Sequence, residues 1–225
     1  MLRAAIQEHL RLAVRESIRR GDKIDLKRFG FERKPARQSR ASPAPSAECP
    51  ATAPPVTASD LDGKQVRPLE AGEARASVLF FLTPDCPISN SYAPEINALV
   101  KENADRPLRF YAVYVDPDLT AAAARKHAAA FGHGCPVLLD PRHQLVAVTG
   151  VTTTPEVAVV TADGRLAYRG RIDDRYPQIG VHRQAPTRRD LRAALAAVLA
   201  DRPVPTPRAT AVGCAVPSSR WESSR

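Results

Sequence analysis

A short apolar run that ends on a cysteine constrains this chain more than any other stretch. Ser77 to Leu82 (SVLFFL) is aliphatic and aromatic, the pattern of a strand buried on both faces. Pro84 and Pro87 stop it, so Cys86 falls where a strand ends and a helix begins. Ser89 or Asn90 is the expected cap of that helix, because either side chain can accept from the free N–H groups of a first turn. Tyr92, Ile96, Leu99 and Val100 recur at helical spacing, which carries the helix to about Asn103. A thiol at such a junction is favoured as thiolate by free N–H groups and the helix dipole, and a cysteine pKa near 8.5 can fall to roughly 3.5–7.5 there. The adjacent Asp85 acts in the opposite direction. The alternative for Cys86 is an inert buried thiol.

Charge divides the remainder. Residues 1–58 carry 12 Lys+Arg against 6 Asp+Glu, residues 59–202 carry 18 against 17, and the last stretch carries 3 against 1. The pI near 9.8 is therefore mostly a property of the two ends. We read residues 1–38 as a basic arm, 39–58 as a Pro/Ala/Ser-rich linker, 59–202 as a neutral globular domain long enough to bury a core, and 203–225 as a Pro-rich tail. Ala4, Ile6, Leu10, Ala13, Val14 and Ile18 lie at helical intervals among arginines, so residues 3–20 form an amphipathic helix that either is solvated or touches an anionic surface or partner. The domain lacks the basic stripe with interleaved aromatics that nucleic-acid binding needs. No run of apolar residues reaches membrane-spanning length. The N-terminus has no apolar export signal, which makes the cytoplasm the default location.

From Ser59 the chain alternates. A turn at Leu61-Asp62-Gly63-Lys64 precedes a short strand at Gln65 to Leu69, and a second apolar strand runs from Leu108 to Val115. A helix opens at Asp116-Pro117-Asp118 and closes at Gly132. Val137 to Leu139 is a short strand followed by a helix from His143 to Thr149. Thr161-Ala162-Asp163-Gly164 joins Glu156–Val160 to Arg165–Arg169 as a hairpin. Thr187 is the expected N-cap of a last helix bearing Leu191, Leu195, Val198 and Leu199. Alternating elements of this kind predict an α/β fold with a central sheet and helices on both faces.

These residues resemble the thioredoxin superfamily, and within it the redoxin branch of alkyl hydroperoxide reductases and thiol-specific antioxidant proteins. Three features over about residues 56–202 carry the resemblance: strand, Cys86-Pro87-Ile88-Ser89 and a helix interrupted by Pro94; Gly150-Val151-Thr152-Thr153-Thr154-Pro155 before a strand; and the hairpin with its following helix. The resemblance implies a thioredoxin-like fold with a central mixed sheet and a cis peptide at Thr154-Pro155 facing Cys86. The family's second helix cysteine is replaced by Ser89, which can donate a hydrogen bond but cannot form a disulfide. The peroxiredoxin pattern is met in part by Thr83-Pro84-Asp85-Cys86, with Leu79 where a proline would stand. That likeness makes Arg171 the candidate for a peroxide-orienting arginine, against an ion pair with its neighbouring aspartates. Similar redoxins work outside the cytoplasm, so an extracytoplasmic location is also open.

The reaction implied is thiol-dependent oxidation–reduction: Cys86 attacks a peroxide or a disulfide, and Cys214, Cys135 or an external thiol resolves the product. Cys214, in the apolar patch Ala211–Val216, suits a tail that docks on the domain. Cys135 suits a small core residue. Glu156 is either a proton relay or half of a salt bridge, and His127 and His143 read as ordinary surface residues. The alternative function is a non-catalytic module that binds a protein partner, or a metal through Cys86, His133 and Cys135. Four cysteines at 49, 86, 135 and 214 fit no paired metal-ligand spacing, and neither metal nor cofactor is expected. The sequence sets no oligomeric state.

Overall fold

Side chains of Ala76–Leu82 point alternately to two cores, and this alternation sets the layers. The computed structural model describes residues 56–218. The expected arm of residues 1–38, most of the linker with Cys49, and the end of the tail lie outside them. Every residue of Ala76–Leu82 (β3) is buried. Ala76, Val78, Phe80 and Leu82 enter one apolar cluster and Leu79 and Phe81 the other. A strand with period two can serve two cores only if both faces are covered.

The elements in order are β1 (Ala58–Asp60), β2 (Gln65–Val66), β3, α1 (Pro87–Ser91), α2 (Ala93–Glu102), β4 (Leu108–Tyr114), α3 (Ala121–Ala130), β5 (Val137–Leu139), α4 (Gln144–Thr149), β6 (Thr153–Thr154), β7 (Glu156–Thr161), β8 (Leu166–Gly170), α5 (Asp190–Leu199), β9 (Arg208–Ala209) and β10 (Cys214–Ala215). The main sheet has the order β2-β1-β5-β4-β3-β7-β8-β9, with β3, β4 and β5 parallel and β7 antiparallel to β3. It is a mixed sheet. Ile96 and Leu99 of α2, Ala124 of α3 and Leu191 and Leu195 of α5 pack in the first cluster, while Leu145 of α4 packs in the second. The expected α/β class, with helices on both faces of a central mixed sheet, is what forms. No helix among the described residues is long and apolar enough to cross a membrane.

Several local expectations change for identifiable reasons. The first helix is capped by Cys86, with Pro87 in the N1 position that tolerates a missing N–H; Ser89 and Asn90 lie inside its only turns. The strand expected at Gln65 to Leu69 is two residues long. Thr120, not Asp116, caps α3. Thr187 does not cap α5, which starts at Asp190, because its amide and hydroxyl are drawn to Asp174. His143 is not a surface residue: it is buried, adopts φ 53°, and its Nε2 donates to the Val115 carbonyl at 2.7 Å.

Asp174 closes the segment that joins β8 to α5. Its carboxylate accepts from the amides of Thr187 at 2.7 Å and Arg188 at 2.8 Å, from the Thr187 hydroxyl, and from Arg183. Burial opposes its charge, but these donors outweigh burial and hold the carboxyl well below the usual range. A depressed folded-state pKa contributes stability above the unfolded value of about 3.9, lost as pH falls through the folded one. Asp174→Ala is therefore expected to lower unfolding free energy by roughly 2–3 kcal/mol at neutral pH, with the gap to wild type shrinking below about pH 3.9. Urea titrations at neutral and acid pH test this; equal midpoints at neutral pH would remove Asp174 as the closure.

Candidate active site

Cys86 ends the Thr83-Pro84-Asp85 turn that leaves β3, its amide donating to the Thr83 carbonyl at 3.2 Å. The residue is 1% exposed. As N-cap of α1, it accepts the Ser89 N–H on Sγ at 3.4 Å. Because α1 has only five residues, it offers the sulfur this local N–H and not a long helix dipole. Tyr92 breaks the helix, and α2 restarts with Pro94 in its first turn. The Tyr92 hydroxyl donates to Asp173 Oδ1 at 2.6 Å, and Arg175 packs its guanidinium 5.3 Å from the Tyr92 ring centre. Glu95 in turn pairs with Arg192 at 2.9 Å and Arg175 at 3.7 Å. The break is thus tied to the segment after β8.

Opposite the sulfur lies the Thr154–Pro155 bond, which is cis. The protonated Cys86 thiol donates to the Thr154 carbonyl at 3.1 Å. The hydroxyls of Thr83 and Thr154 meet at 3.0 Å, both buried. Glu156 orders this loop: Oε2 accepts from the amides of Thr152 and Thr153 at 3.0 and 3.3 Å, while Oε1 faces Arg169 Nε at 3.4 Å. It serves as a backbone clamp and an ion-pair partner.

The tail completes the site. β9 pairs with β8, and β10 pairs antiparallel with β6, setting Cys214 opposite Thr154 and Ala215 opposite Thr153. The Val216 amide extends the pairing to the Thr152 carbonyl at 3.0 Å, and its side chain packs on the second core. The pairing sets Cys214 against Thr154, the residue whose carbonyl accepts from Cys86 Sγ. Burial disfavours the Cys86 thiolate, but the neighbouring Cys214 thiol and the donors at Ser89, whose N–H reaches Sγ, outweigh it, and the Cys86 pKa lies below its ordinary value. Burial and the Cys86 thiol push Cys214 up to about 11. The two thiols are unlike: the Cys86 pKa is lowered and the Cys214 pKa raised.

Of the residues singled out from sequence, Thr83, Cys86, Ser89, Pro155 and Cys214 are brought together. Arg171 is engaged elsewhere: its Nε donates to Asp190 Oδ2 at 2.7 Å, an ion pair as the alternative reading had it but with a residue of α5 in place of the neighbouring Asp173 and Asp174. Cys135 is not brought there either. It is buried in the first core cluster, where burial pushes its thiol up to about 11. Among the described residues no group of three or more His, Cys, Asp or Glu gathers as a metal site, so Cys86, His133 and Cys135 do not converge.

The Redoxin family model matches residues 43–180. The chain belongs to the Redoxin family. Among solved structures, this redoxin is similar to an uncharacterized conserved protein from Geobacillus kaustophilus, at 26% identity over 74% of this chain and 90% of that one, with a TM-score of 0.65. A hypothetical protein from Sinorhizobium meliloti 1021 is 25% identical over 72% of this chain and 89% of that one, with a TM-score of 0.63. A Chlorobium tepidum protein designated a thiol:disulfide interchange protein, DsbE, shares the fold at 18% identity and a TM-score of 0.51, covering 65% of this chain and 94% of that one. No curated protein matches the chain. Family membership supports a thiol-redox function in general terms and a thioredoxin-like fold.

Two residues of this redoxin's site escaped the sequence reading. Thr154 was visible only as the residue before Pro155, yet it supplies a carbonyl to Cys86, a hydroxyl to Thr83 and a strand partner to Cys214. Gly213 looked like one more small residue of the tail. A Cβ built on it would stand 2.0 Å from the Thr154 oxygen and 2.7 Å from its carbon, so only glycine permits this approach. The signal was available in Gly213-Cys214 as a pair, but nothing local indicates which strand the pair meets.

Proposed function

We propose that this redoxin is a two-cysteine thiol oxidoreductase that reduces a disulfide, with Cys86 as nucleophile and Cys214 as resolving thiol. The Cys86 thiolate attacks one sulfur of the substrate disulfide, forming a mixed disulfide and releasing the other sulfur as a thiolate. Cys214 loses its proton and attacks Cys86 Sγ. That step releases the second substrate thiolate and leaves a Cys86–Cys214 disulfide. Two electrons pass from the cysteine pair to the substrate, and an external thiol reductant returns them. The observation that carries this reading is the pairing of β10 with β6, which sets Cys214 opposite the Thr154 whose carbonyl accepts from Cys86 Sγ at 3.1 Å; the lowered Cys86 pKa and the raised Cys214 pKa agree with it. Each exchange step needs a thiolate, so Cys86 attacks first and Cys214 follows once its proton passes to the released substrate thiolate. A disulfide is favoured over a peroxide because Arg171, the candidate for orienting peroxide, is engaged with Asp190. Peptide mapping without reductant after mild oxidation should recover Cys86 joined to Cys214. Recovery of Cys86 joined to Cys135, or only to added thiol, sinks the assignment of the resolver.

A further inference from the structure

Part-buried polar groups beneath the Cys86 turn form one directed chain across four elements. Asn90 Nδ2 donates to the Pro84 carbonyl at 2.7 Å, and the Asn90 amide donates to the Cys86 carbonyl at 3.1 Å. One residue, through its side chain and its backbone amide, therefore ties the turn on both sides of Asp85. Since Nδ2 is spent on a carbonyl, Oδ1 is the acceptor end of Asn90. His127 Nε2 lies 3.0 Å from that Oδ1 and must donate. A neutral ring then leaves Nδ1 to accept from the Tyr114 hydroxyl at 2.6 Å. Tyr114 O–H to His127, His127 N–H to Asn90, and Asn90 N–H to Pro84 is the assignment that pairs every donor with an acceptor.

The surroundings favour this neutral tautomer. His127 sits against Phe131, with ring centres 4.5 Å apart, and edge-on to Tyr114. Burial holds its pKa below the ordinary value, against the attraction of Asp85. Burial lowers the pKa of His133, 6.2 Å away, as well. Burial raises Tyr114 far above neutrality, so it keeps its proton.

We propose that His127 is a positioning residue for the nucleophile: through Asn90 it fixes the Pro84-Asp85-Cys86 turn in the geometry that presents Cys86 Sγ to the Ser89 amide and to Cys214. The proposal rests on Cys86 being the reactive thiol. Without the His127 donor, the Asn90 carboxamide can rotate and release Pro84. The turn then loses the frame that keeps the sulfur at the helix start.

The test follows alkylation of Cys86 in the full chain by peptide mass spectrometry, as a rate against pH from about 5 to 9, bracketing the ordinary thiol value. His127→Leu is expected to move the Cys86 profile to higher pH and slow alkylation at neutral pH by roughly 3- to 10-fold. His127→Gln, which can still present an N–H to Asn90, should stay within about twofold of wild type. Asn90→Ala should match His127→Leu, and the double variant should be no slower than either single one. A wild-type Cys86 that titrates like a free thiol overturns the functional reading and this assignment with it. A depressed wild-type profile that His127→Leu leaves in place, or that His127→Gln disturbs as much as His127→Leu, overturns the assignment alone. Because a purely structural loss lowers melting temperature without moving a thiol profile, melting curves are recorded alongside.

Discussion

Cys214→Ser is expected to leave the protein folded but stalled: Cys86 should accumulate as a mixed disulfide with substrate, and turnover with an external thiol should fall roughly 100-fold or more. In the wild type the proposed resolving thiol is held opposite Thr154, whose carbonyl accepts from Cys86. A tethered thiol in near-attack geometry competes at an effective concentration far above that of free thiols. The serine keeps the strand pairing, since the backbone bonds and Gly213 are unchanged. What it removes is the sulfur. Turnover of a model disulfide and the mass of trapped Cys86 adducts are the two readouts. Unchanged turnover, with no adduct, would exclude the tail cysteine as resolver.

Gly213→Ala is the second large effect and acts through backbone alone. The added methyl would fall 2.0 Å from the Thr154 oxygen and 3.2 Å from Pro155 Cδ, and neither backbone nor ring can give way as a flexible side chain could. The tail must shift, costing about 1–3 kcal/mol. A cost near 1.4 kcal/mol corresponds to a tenfold change in occupancy of the docked strand. The yield of Cys86–Cys214 disulfide after mild oxidation should drop accordingly, while labelling of Cys86 by a bulky maleimide should rise. The variant retains both thiols, so its comparison with Cys214→Ser separates loss of the sulfur from loss of its placement. Wild-type disulfide yield in Gly213→Ala would mean that the docked strand is not what brings the thiols together.

The sequence made the sheet legible because Ser77–Leu82 and Leu108–Val115 are apolar on both faces, a pattern that few surroundings satisfy. Val137–Leu139 and the Asp163-Gly164 hairpin were legible for the same local reasons: a short apolar run, and a turn that wants glycine. The site was half legible. Cys86 announced itself by standing between a strand and a helix, whereas Cys214 could be connected to it only through a tail whose partner strand is two residues long. Asp174 drew Thr187 away from its expected cap by bonds across a loop, which no spacing rule anticipates. His127 read as a surface residue because its helix is rich in alanine and basic residues; its true neighbours, Tyr114 and Asn90, come from other elements. Tertiary hydrogen bonds between distant short motifs are what single-sequence periodicity leaves out.

The pairing of β10 with β6 also changes the connectivity of the molecule once the two cysteines are joined as proposed. Cys86 follows β3 and Cys214 begins β10, so their bond would enclose the chain from α1 to β10 in one covalent ring and leave β1, β2 and β3 outside it. Closing a ring on the order of 100 residues removes about 4.7 kcal/mol of freedom from the unfolded chain. The oxidised and reduced proteins would then differ in resistance to unfolding as well as in reactivity. Each catalytic cycle would unlock and relock the last strand of the fold.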